Sequence, residues 1–268
     1  MARAPYEKWS AGSTTIPRVP KYYRLKQELQ QDMSRLAPGT AIPTERELSA
    51  RFGVSRTTVR QALQELVVDG LLQRCQGRGN FVAPPKVTQT LQLTSYTEDT
   101  VATGRLPTSR VLEAALVRAT VHIAKQLNLP PNARVQRLER LRLADGEPMA
   151  VEAVYLDAAR FPGIGAAIEQ GSSLYQLLRD RYSVSLVRAE ETLETVLASP
   201  QEASLLDTGT GLPLLLLTRT SWDEEDRPIE YVRSLYRGDR YRFVAHLMRP
   251  ATVPPQCETQ QASAPATT

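Results

Sequence analysis

The sequence feature that most constrains the fold is a pair of short amphipathic helical segments joined by a tight turn at Gly53. Thr44 suits the N-cap of the first segment, because Glu47 three residues later completes a capping-box pattern. Glycine supplies the left-handed backbone that such a turn requires, and Ser55 suits the N-cap of the second segment. The second segment then carries one apolar stripe, formed by Val59, Ala62, Leu63, Leu66 and Val67.

A third helix and a hairpin flank this pair. Leu25, Leu29 and Met33 recur every four residues, which predicts a helix over 22–35. Farther along, two short apolar segments on either side of a glycine-rich tip at 76–80 predict a two-stranded hairpin. Two helices joined by a short turn and followed by a hairpin form a winged helix-turn-helix.

The net charge of +4 is unevenly spread along the chain. Residues 1–86 hold 14 Lys and Arg against 7 Asp and Glu, a net charge of +7, whereas the remaining residues hold 19 against 22, a net charge of −3. A basic excess confined to one part of a chain is typical of a surface that binds a polyanion. A solvated basic face would give the same count.

The start of the second helix of the pair carries residue types that read DNA. In winged helix-turn-helix modules this end enters the major groove, and here it holds Arg56, Thr57, Thr58 and Arg60. Arginine can bridge guanine O6 and N7. Threonine hydroxyls and the free N–H groups of a helix start suit phosphate oxygens.

Three further residues complete the expected interface. Arg46, near the start of the preceding helix, would face the DNA backbone or an adjacent base. Gly77 and Arg78 at the hairpin tip would reach the minor groove, because glycine permits close approach. The alternative is a helix-turn-helix with a purely structural role, in which these polar and basic side chains lie on a solvated face and contact no DNA.

From about residue 91 the pattern changes to mixed strand and helix signals, which predict an α+β domain. Asp145 and Gly146 suit a hairpin turn, and 173–181 suits a helix. Strands are predicted over 135–143, 149–155, 187–197, 212–221 and 229–236. We expect a flexible arm over 1–19, the winged helix-turn-helix over 20–84, a linker over 85–91, the second domain over 92–250 and a disordered tail over 251–268.

Two arginines in this second domain indicate an anion site. Arg140 and Arg142 lie two apart on a predicted strand, so both side chains leave the same face. Two guanidiniums on one face can clamp a phosphate or carboxylate, although spacing alone favours a solvated strand face. Ser173 and Tyr175 at a helix start, and the hydroxyls of 94–97, would add donors for an anion.

Other classes of site find no support in the residue pattern. Cys75 and Cys257 lack metal-ligand spacing, and His122 and His246 lack a neighbouring ligand cluster, so we expect neither a metal nor a cofactor. No apolar run approaches the roughly 20 residues of a membrane span, and the N-terminus lacks a signal-peptide core. These features predict a cytoplasmic protein with no membrane contact.

The motif residues resemble those of the GntR family of bacterial regulators. The resemblance rests on 43–48, 53–60, 69–71 and 77–82; Asn80 stands where threonine is commoner in the family. It implies double-stranded operator DNA as a partner. It also places the family's DNA-contacting positions on Arg46, Ser55, Arg56, Thr57, Thr58, Arg60 and Gly77.

Residues 91–249 resemble the effector-sensing UTRA domain of the HutC subfamily, through 140–152, 161–163, 172–175 and 236–241. That domain is similar in fold to chorismate lyase, which implies a mixed, largely antiparallel sheet with helices. Within the subfamily, the stretches 60–68, 93–99 and 232–241 resemble those of the repressors of N-acetylglucosamine utilisation. This implies a sugar phosphate whose phosphate is held by Thr94, Ser95, Thr97, Arg140, Arg142, Ser173 and Tyr175. Its amino and hydroxyl groups would be held by Glu152, Glu230 and Tyr236.

The combined expectation is a homodimeric regulator, most simply a repressor, of amino-sugar uptake or metabolism genes. It would bind a pseudo-palindromic operator, with an affinity changed by glucosamine-6-phosphate or N-acetylglucosamine-6-phosphate. One alternative is the same architecture sensing trehalose phosphate, a urocanate-like carboxylate or another small anion. Another is an architectural DNA-binding protein whose second domain no longer responds to an effector. A third is a lyase-like enzyme using Glu152 and Glu230 as paired carboxylates, but no residue is assigned a catalytic role.

Overall fold

The computed structural model describes residues 19–75, 77–168 and 173–248, and its N-terminal part is the predicted winged helix-turn-helix. This part holds α1 (Lys21–Met33), α2 (Glu45–Phe52) and α3 (Arg56–Val68), followed by β1 (Leu72–Cys75) and β2 (Gly79–Val82). The two strands pair antiparallel as a hairpin. The helices and the hairpin share one core, formed by Leu25, Leu29, Met33, Leu48, Val59, Ala62, Leu63, Leu66 and Leu72.

The ends of α2 and α3 adopt the local structures that the sequence predicts. The Thr44 hydroxyl accepts a hydrogen bond from the Glu47 N–H, and the Glu47 carboxylate accepts one from the Thr44 N–H at 2.8 Å. Gly53 is left-handed, with a φ of 61°. The Ser55 hydroxyl accepts a hydrogen bond from the Thr58 N–H at 3.2 Å. These caps fix where α3 begins and therefore which side chains its N-terminal end presents.

An antiparallel sheet forms the centre of the C-terminal part. Its strands are β4 (Pro107–Arg118), β5 (Arg134–Ala144), β6 (Glu147–Asp157), β7 (Arg188–Leu197), β8 (Pro213–Trp222) and β9 (Pro228–Arg237). They lie in the order β4-β5-β6-β9-β8-β7. The accompanying helices are α4 (Tyr96–Ala102), α5 (Val121–Gln126), α6 (Ile164–Ala167), α7 (Leu174–Tyr182) and α8 (Pro200–Leu205).

Apolar side chains cover both faces of this sheet. Helices α6 and α7 pack on one face, where the buried residues include Leu138, Val154, Phe161, Leu174 and Leu178. Helix α8 belongs to the other face, with Leu141, Val151, Leu206, Leu214 and Leu235. Alternate residues of a strand point to opposite faces. Arg140 and Arg142 on β5 therefore share the α7 face with Leu138, as does Glu152 on β6 with Val154.

The segment between the two parts is partly a strand. Val87–Thr90 form β3, which pairs in parallel with β10 (Tyr241–Val244), where Val87 lies opposite Tyr241 and Thr90 opposite Val244. From the sequence alone, residues 85–91 are expected only to form a linker. The strand that pairs with β3 lies near the far end of the chain, so no local pattern indicates this pairing.

The sequence pattern also did not predict β4 and β10 or the helices α4, α5, α6 and α8. Strand β4 is an edge strand with exposed or half-buried side chains at most positions, so it lacks the apolar alternation that marks a half-buried strand. Helix α4 begins within the stretch expected to supply hydroxyl donors. There the Ser95 hydroxyl accepts a hydrogen bond from the Glu98 N–H and caps the helix.

Candidate functional site

The start of α3 and the tip of the hairpin present polar side chains to solvent. Of the eight residues predicted to contact DNA, Thr58 is half-buried and the others are exposed: Arg46, Ser55, Arg56, Thr57, Arg60, Gly77 and Arg78. A groove of about 300 Å³ lies between the start of α2 and the hairpin, lined in part by Thr44, Glu45, Arg74, Gly77 and Arg78. The fold thus brings the start of α2 and the hairpin tip to one groove.

Two of the predicted DNA-contacting hydroxyls also hold the helix end together. The Oγ atom of Ser55 lies 2.9 Å from Oγ1 of Thr58, in addition to its bond from the Thr58 N–H. The first N–H groups of an α-helix have no partner within the helix. The Ser55 cap occupies one of them and leaves others at the exposed end of α3 for phosphate oxygens.

Arg60 is paired within the protein, which the sequence analysis did not foresee. Its Nε and Nη2 atoms donate to the two carboxylate oxygens of Glu45, at 3.3 and 3.0 Å. The hydrogen bond from Arg60 lowers the pKa of Glu45, and the nearby charges of Arg74 and Arg56 lower it further. Glu45 is therefore a carboxylate set among three arginines.

The predicted effector residues converge on a cavity between the sheet, α4 and α7. Its volume is about 40 Å³, room for a few water molecules at most. A sugar phosphate would therefore have to displace side chains to enter it. Eight of the ten predicted residues line the cavity: Thr94, Ser95, Arg140, Arg142, Glu152, Tyr175, Glu230 and Tyr236.

Two predicted residues do not line the cavity. Thr97 lies in the first turn of α4 and is half-buried. The Ser173 hydroxyl caps α7 by accepting a hydrogen bond from the Gln176 N–H at 3.4 Å. The expectation that Thr97 and Ser173 bind an anion stays a prediction.

Glu152 occupies the space between the two cavity arginines. Its Oε1 atom accepts a hydrogen bond from Nη2 of Arg140 at 2.5 Å and from Nη2 of Arg142 at 2.8 Å. Arg142 also donates from Nη1 to the Ser109 hydroxyl at 2.7 Å. Burial alone would raise the pKa of Glu152, but the two guanidiniums outweigh it and hold that pKa at about 2. The clamp already contains a carboxylate supplied by the neighbouring strand.

The same arginines retain unused donors. Nε and Nη1 of Arg140 and Nε of Arg142 are buried and make no hydrogen bond within the described residues. Burial and the adjacent charge of Arg142 lower the pKa of Arg140 to about 10. Buried donors without partners cost free energy, so an added anion that accepted these hydrogen bonds would be stabilised.

Glu230 on β9 is a second acidic residue that lines the cavity. Oε1 of Glu230 accepts hydrogen bonds from the Tyr175 hydroxyl at 2.7 Å and from the Ser221 hydroxyl at 3.0 Å. Its Oε2 atom is buried with no partner in the described part of the chain. Burial raises the pKa of Glu230. A ligand group that donates hydrogen bonds, such as an amine or hydroxyl, would complement this oxygen.

Several cavity residues were missed by the sequence analysis. Arg219 on β8 donates to Oε1 of Glu191 at 2.9 Å and to the Tyr175 hydroxyl at 3.3 Å. Gln89 of β3 and Asp99 of α4 also line the cavity, together with Tyr96 and Ser234. An arginine within β8, or a glutamine in an expected linker, carries no local signal. Only the sheet order and the β3–β10 pairing bring them to the cavity.

Within residues 19–75, 77–168 and 173–248, no group of three or more His, Cys, Asp and Glu side chains is arranged to hold a metal ion. None of the helices described is both long and apolar enough to cross a membrane. Cys257 and the arm and tail expected at 1–19 and 251–268 fall outside those residues, apart from residue 19.

Comparison with known families divides the chain where its two parts meet. Residues 21–82 match the gntR family of bacterial regulatory proteins, and residues 102–242 match the UTRA domain. These ranges contain the winged helix-turn-helix and the six-stranded sheet.

Among characterised relatives, the chain is 38% identical to the HTH-type transcriptional repressor NagR of Bacillus subtilis, over 86% of this chain and 96% of NagR. It is 39% identical to the HTH-type transcriptional repressor PhnF of Mycolicibacterium smegmatis, over 85% of this chain and 93% of PhnF. A probable fructoselysine utilization operon transcriptional repressor of Escherichia coli is 32% identical, over 82% of this chain and 91% of that protein.

Among solved structures, the crystal structure of PhnF from Mycobacterium smegmatis aligns with a TM-score of 0.61 and 36% identity. It covers 85% of this chain and all of PhnF. The effector domain of PhnF aligns alone with a TM-score of 0.58 and 34% identity, over 61% of this chain. Both parts of the chain thus have counterparts of the same fold in one solved protein.

Proposed function

The chain belongs to the GntR family of bacterial transcriptional regulators and carries a UTRA domain, and from this premise we propose that it is a repressor controlled by a phosphorylated amino sugar. Its relatives are named regulators rather than enzymes, so Glu152 and Glu230 are interpreted as binding residues. An operator and a sugar-phosphate effector would both meet the protein in the cytoplasm.

The proposed DNA contacts are those of α3 and the hairpin. Arg56 and Arg60 would contact base edges or phosphates in the major groove, and Arg78 would follow the minor groove. A module of this kind reads paired half-sites when two copies are related by two-fold symmetry. We therefore propose a homodimer on a pseudo-palindromic operator.

The observation that carries the effector proposal is the burial of Arg140 and Arg142 side by side in a cavity, with donors still unused. Charge-assisted, multidentate hydrogen bonds from arginine suit a phosphate. In the same cavity, the unpartnered oxygen of Glu230 suits a donor such as a sugar amine or hydroxyl. An amino-sugar phosphate carries both an anionic group and hydrogen-bond donors on one small molecule, so it fits both parts of the cavity.

The effector can change DNA binding only if its binding free energy differs between the DNA-binding arrangement of the protein and another arrangement. If the sugar phosphate releases the operator, it binds better to an arrangement that is unsuited to DNA, and DNA weakens its binding by the same factor. The segment from the hairpin to α4 is the proposed route. It connects the DNA-binding part to the cavity wall through β3.

The test begins by selecting the operator from duplex DNA with a random segment, using the full-length protein. Thermal unfolding is then measured with glucosamine-6-phosphate, N-acetylglucosamine-6-phosphate, trehalose phosphate, urocanate and inorganic phosphate, followed by operator affinity with each compound that stabilises the protein. We expect an amino-sugar phosphate to stabilise the protein and to change operator affinity. A response to urocanate alone, or to none of the compounds, would overturn the amino-sugar proposal.

A matched pair of variants tests the cavity assignment. Arg142→Gln removes a buried guanidinium from the clamp, whereas Arg134→Gln removes an exposed one from the same strand. Calorimetry with the stabilising sugar phosphate should show at least about tenfold weaker binding for Arg142→Gln, since a charged hydrogen-bonded contact is worth about 1.5–3 kcal/mol. If the two variants bound the sugar phosphate with equal affinity, the assignment of Arg142 as a phosphate-binding residue would be wrong.

A further inference from the structure

An acidic residue lies in the middle of the proposed DNA-binding surface. Glu45, the first residue of α2, faces Arg60 of α3 and lies close enough to Arg56 and Arg74 for their charges to lower its pKa. DNA binding depends on neutralising phosphates with positive charge. A carboxylate at this place repels phosphate, so any favourable effect on DNA recognition has to come from its contact with an arginine.

The contact is a two-pronged one between neighbouring helices. Nε of Arg60 donates to Oε1 of Glu45 at 3.3 Å, and Nη2 donates to Oε2 at 3.0 Å. This fork-to-fork geometry fixes the plane of the guanidinium as well as its position. The Arg60 side chain is nevertheless 66% exposed, against 27% for Glu45. The arginine is therefore held from one side and open to solvent on the other.

The contact contributes little to folding. Ion pairs that are this exposed have small effects on the free energy of unfolding. Their effect on binding can be larger, because a free arginine loses much rotamer freedom when it is fixed against a partner. An arginine already held by Glu45 has lost part of that freedom before DNA arrives.

We infer that Glu45 is a positioning residue that sets sequence discrimination by Arg60. Holding the guanidinium in one plane favours a base edge, which accepts hydrogen bonds only in a defined geometry. Phosphates accept them over a wide range of directions, and the carboxylate offsets the charge that would attract them. Glu45 thus lowers affinity for DNA of any sequence and raises preference for the operator. This inference rests on the proposal that the start of α3 reads the major groove.

The test compares Glu45→Gln, Arg60→Ala and the control Asp32→Asn in the full-length protein. Asp32 forms an exposed ion pair with Arg51 at 2.8 Å, so Asp32→Asn removes the same charge and an exposed ion pair without altering the Glu45–Arg60 contact. Each protein selects its preferred site from duplex DNA with a random segment. Affinity is then measured for the wild-type site and for an unrelated duplex across a range of salt concentrations.

Arg60→Ala should relax the base preference at one position of each half-site. We expect Glu45→Gln to relax the preference at that same position. The ratio of specific to non-specific affinity should fall about tenfold, the scale of one lost base contact. Affinity for the unrelated duplex should rise, because the variant no longer carries the charge that repels phosphate, and an unchanged affinity would contradict this part of the inference. The double variant should select no more loosely than Arg60→Ala, and Asp32→Asn should behave as wild type.

Different failures have different meanings. If Glu45→Gln keeps the wild-type preference while Arg60→Ala relaxes it, Arg60 reads DNA without help from Glu45 and only this inference falls. If Arg60→Ala also keeps the preference, both the inference and the assigned role of Arg60 fall. Should Glu45→Gln unfold at a lower temperature than Asp32→Asn, Glu45→Asp supplies a second variant. A shorter carboxylate that preserves charge but not the two-pronged contact should also relax the preference.

Discussion

Nε2 of Gln89 donates a hydrogen bond to Oδ2 of Asp99 over 2.7 Å, joining the strand that leaves the hairpin to the wall of the effector cavity. Both side chains are buried. Asp99 also accepts a hydrogen bond from the Thr94 hydroxyl at 2.5 Å. A ligand that moved Thr94 would therefore disturb Asp99 and, through it, the contact with β3. Only four residues separate β3 from the end of β2.

This contact predicts a variant that binds effector but responds to it weakly. Gln89→Leu removes the hydrogen bond from β3, and we expect it to reduce the coupling between sugar phosphate and operator by about 0.5–2 kcal/mol. The coupling is measured as the ratio of operator affinities with and without saturating sugar phosphate. Thr88→Val is the control, because it removes an exposed hydrogen bond, from Arg242 to the Thr88 hydroxyl, on the same strand and leaves the contact with Asp99 intact. Equal coupling in both variants would contradict a role for Gln89.

The Glu152 carboxylate leads to a prediction about stability. Glu152→Gln leaves Arg140 and Arg142 buried without a counter-ion, so the free energy of unfolding at neutral pH should fall by about 3–5 kcal/mol. Because the pKa of Glu152 lies at about 2 instead of the ordinary 4.5, the ionised carboxylate stabilises the wild type above pH 4.5. That contribution is lost as the pH falls from 4.5 towards 2. Urea unfolding across this range should show the two proteins converging at the acidic end.

Glu230→Gln provides an isosteric comparison in the same cavity. Burial raises the pKa of Glu230 above 4.5, so its favourable contribution is present below that pH and is lost as the pH rises through the folded-state pKa. The stability of Glu230→Gln relative to wild type should therefore improve as the pH rises, opposite to Glu152→Gln. Parallel pH profiles for the two variants would contradict the assigned environments.

Ser55 allows helix capping to be separated from DNA contact. Ser55→Ala removes the acceptor for the Thr58 N–H and should cost about 1 kcal/mol of stability. Aspartate caps helices as well as serine, so Ser55→Asp should unfold like wild type. Its added charge would face DNA phosphates, and like charges about 4 Å apart repel by about 1–4 kcal/mol. Operator affinity should fall by roughly tenfold or more for Ser55→Asp. A normal affinity would place Ser55 away from the DNA backbone.

The sequence predicts the parts of this molecule that depend on neighbours a few residues away. Thr44, Gly53 and Ser55 act within one turn of chain, so their residue types are enough to locate α2 and α3. The placement of Arg140 and Arg142 on one face follows from the two-residue period of a strand.

The missed features depend on distant chain segments. Gln89 reaches the cavity only because β3 pairs with β10, and Arg219 only because β8 lies beside β9. The Glu45–Arg60 ion pair forms only because of the angle at which α2 and α3 pack against each other. The hydrogen bonds from both arginines to Glu152 depend on the register of β5 against β6, which places Arg140 opposite Glu152. Such relations arise from tertiary packing, which single-residue patterns do not encode.

Gly70 follows the end of α3 and lies against the turn after β9. A Cβ atom placed on Gly70 would come within 2.3 Å of the carbonyl oxygen of Asp239, a backbone atom that cannot rotate away. Nearby, Nζ of Lys86 donates to the carbonyl oxygen of Gly238 at 2.8 Å. These contacts join the DNA-binding part to the effector part in addition to β3.

Gly70→Ala should therefore destabilise the protein more than Gly53→Ala. Both glycines have positive φ, 74° and 61°, and the left-handed backbone costs alanine about 1–2 kcal/mol in either place. A Cβ on Gly53 meets no atom within 4 Å, whereas one on Gly70 must push the Asp239 turn aside. Overpacking of this kind costs about 1–3 kcal/mol more. Urea unfolding followed by circular dichroism measures the difference. Equal losses would mean that the end of α3 and the Asp239 turn are not in contact in solution, which leaves Lys86 and β3 to couple the two parts.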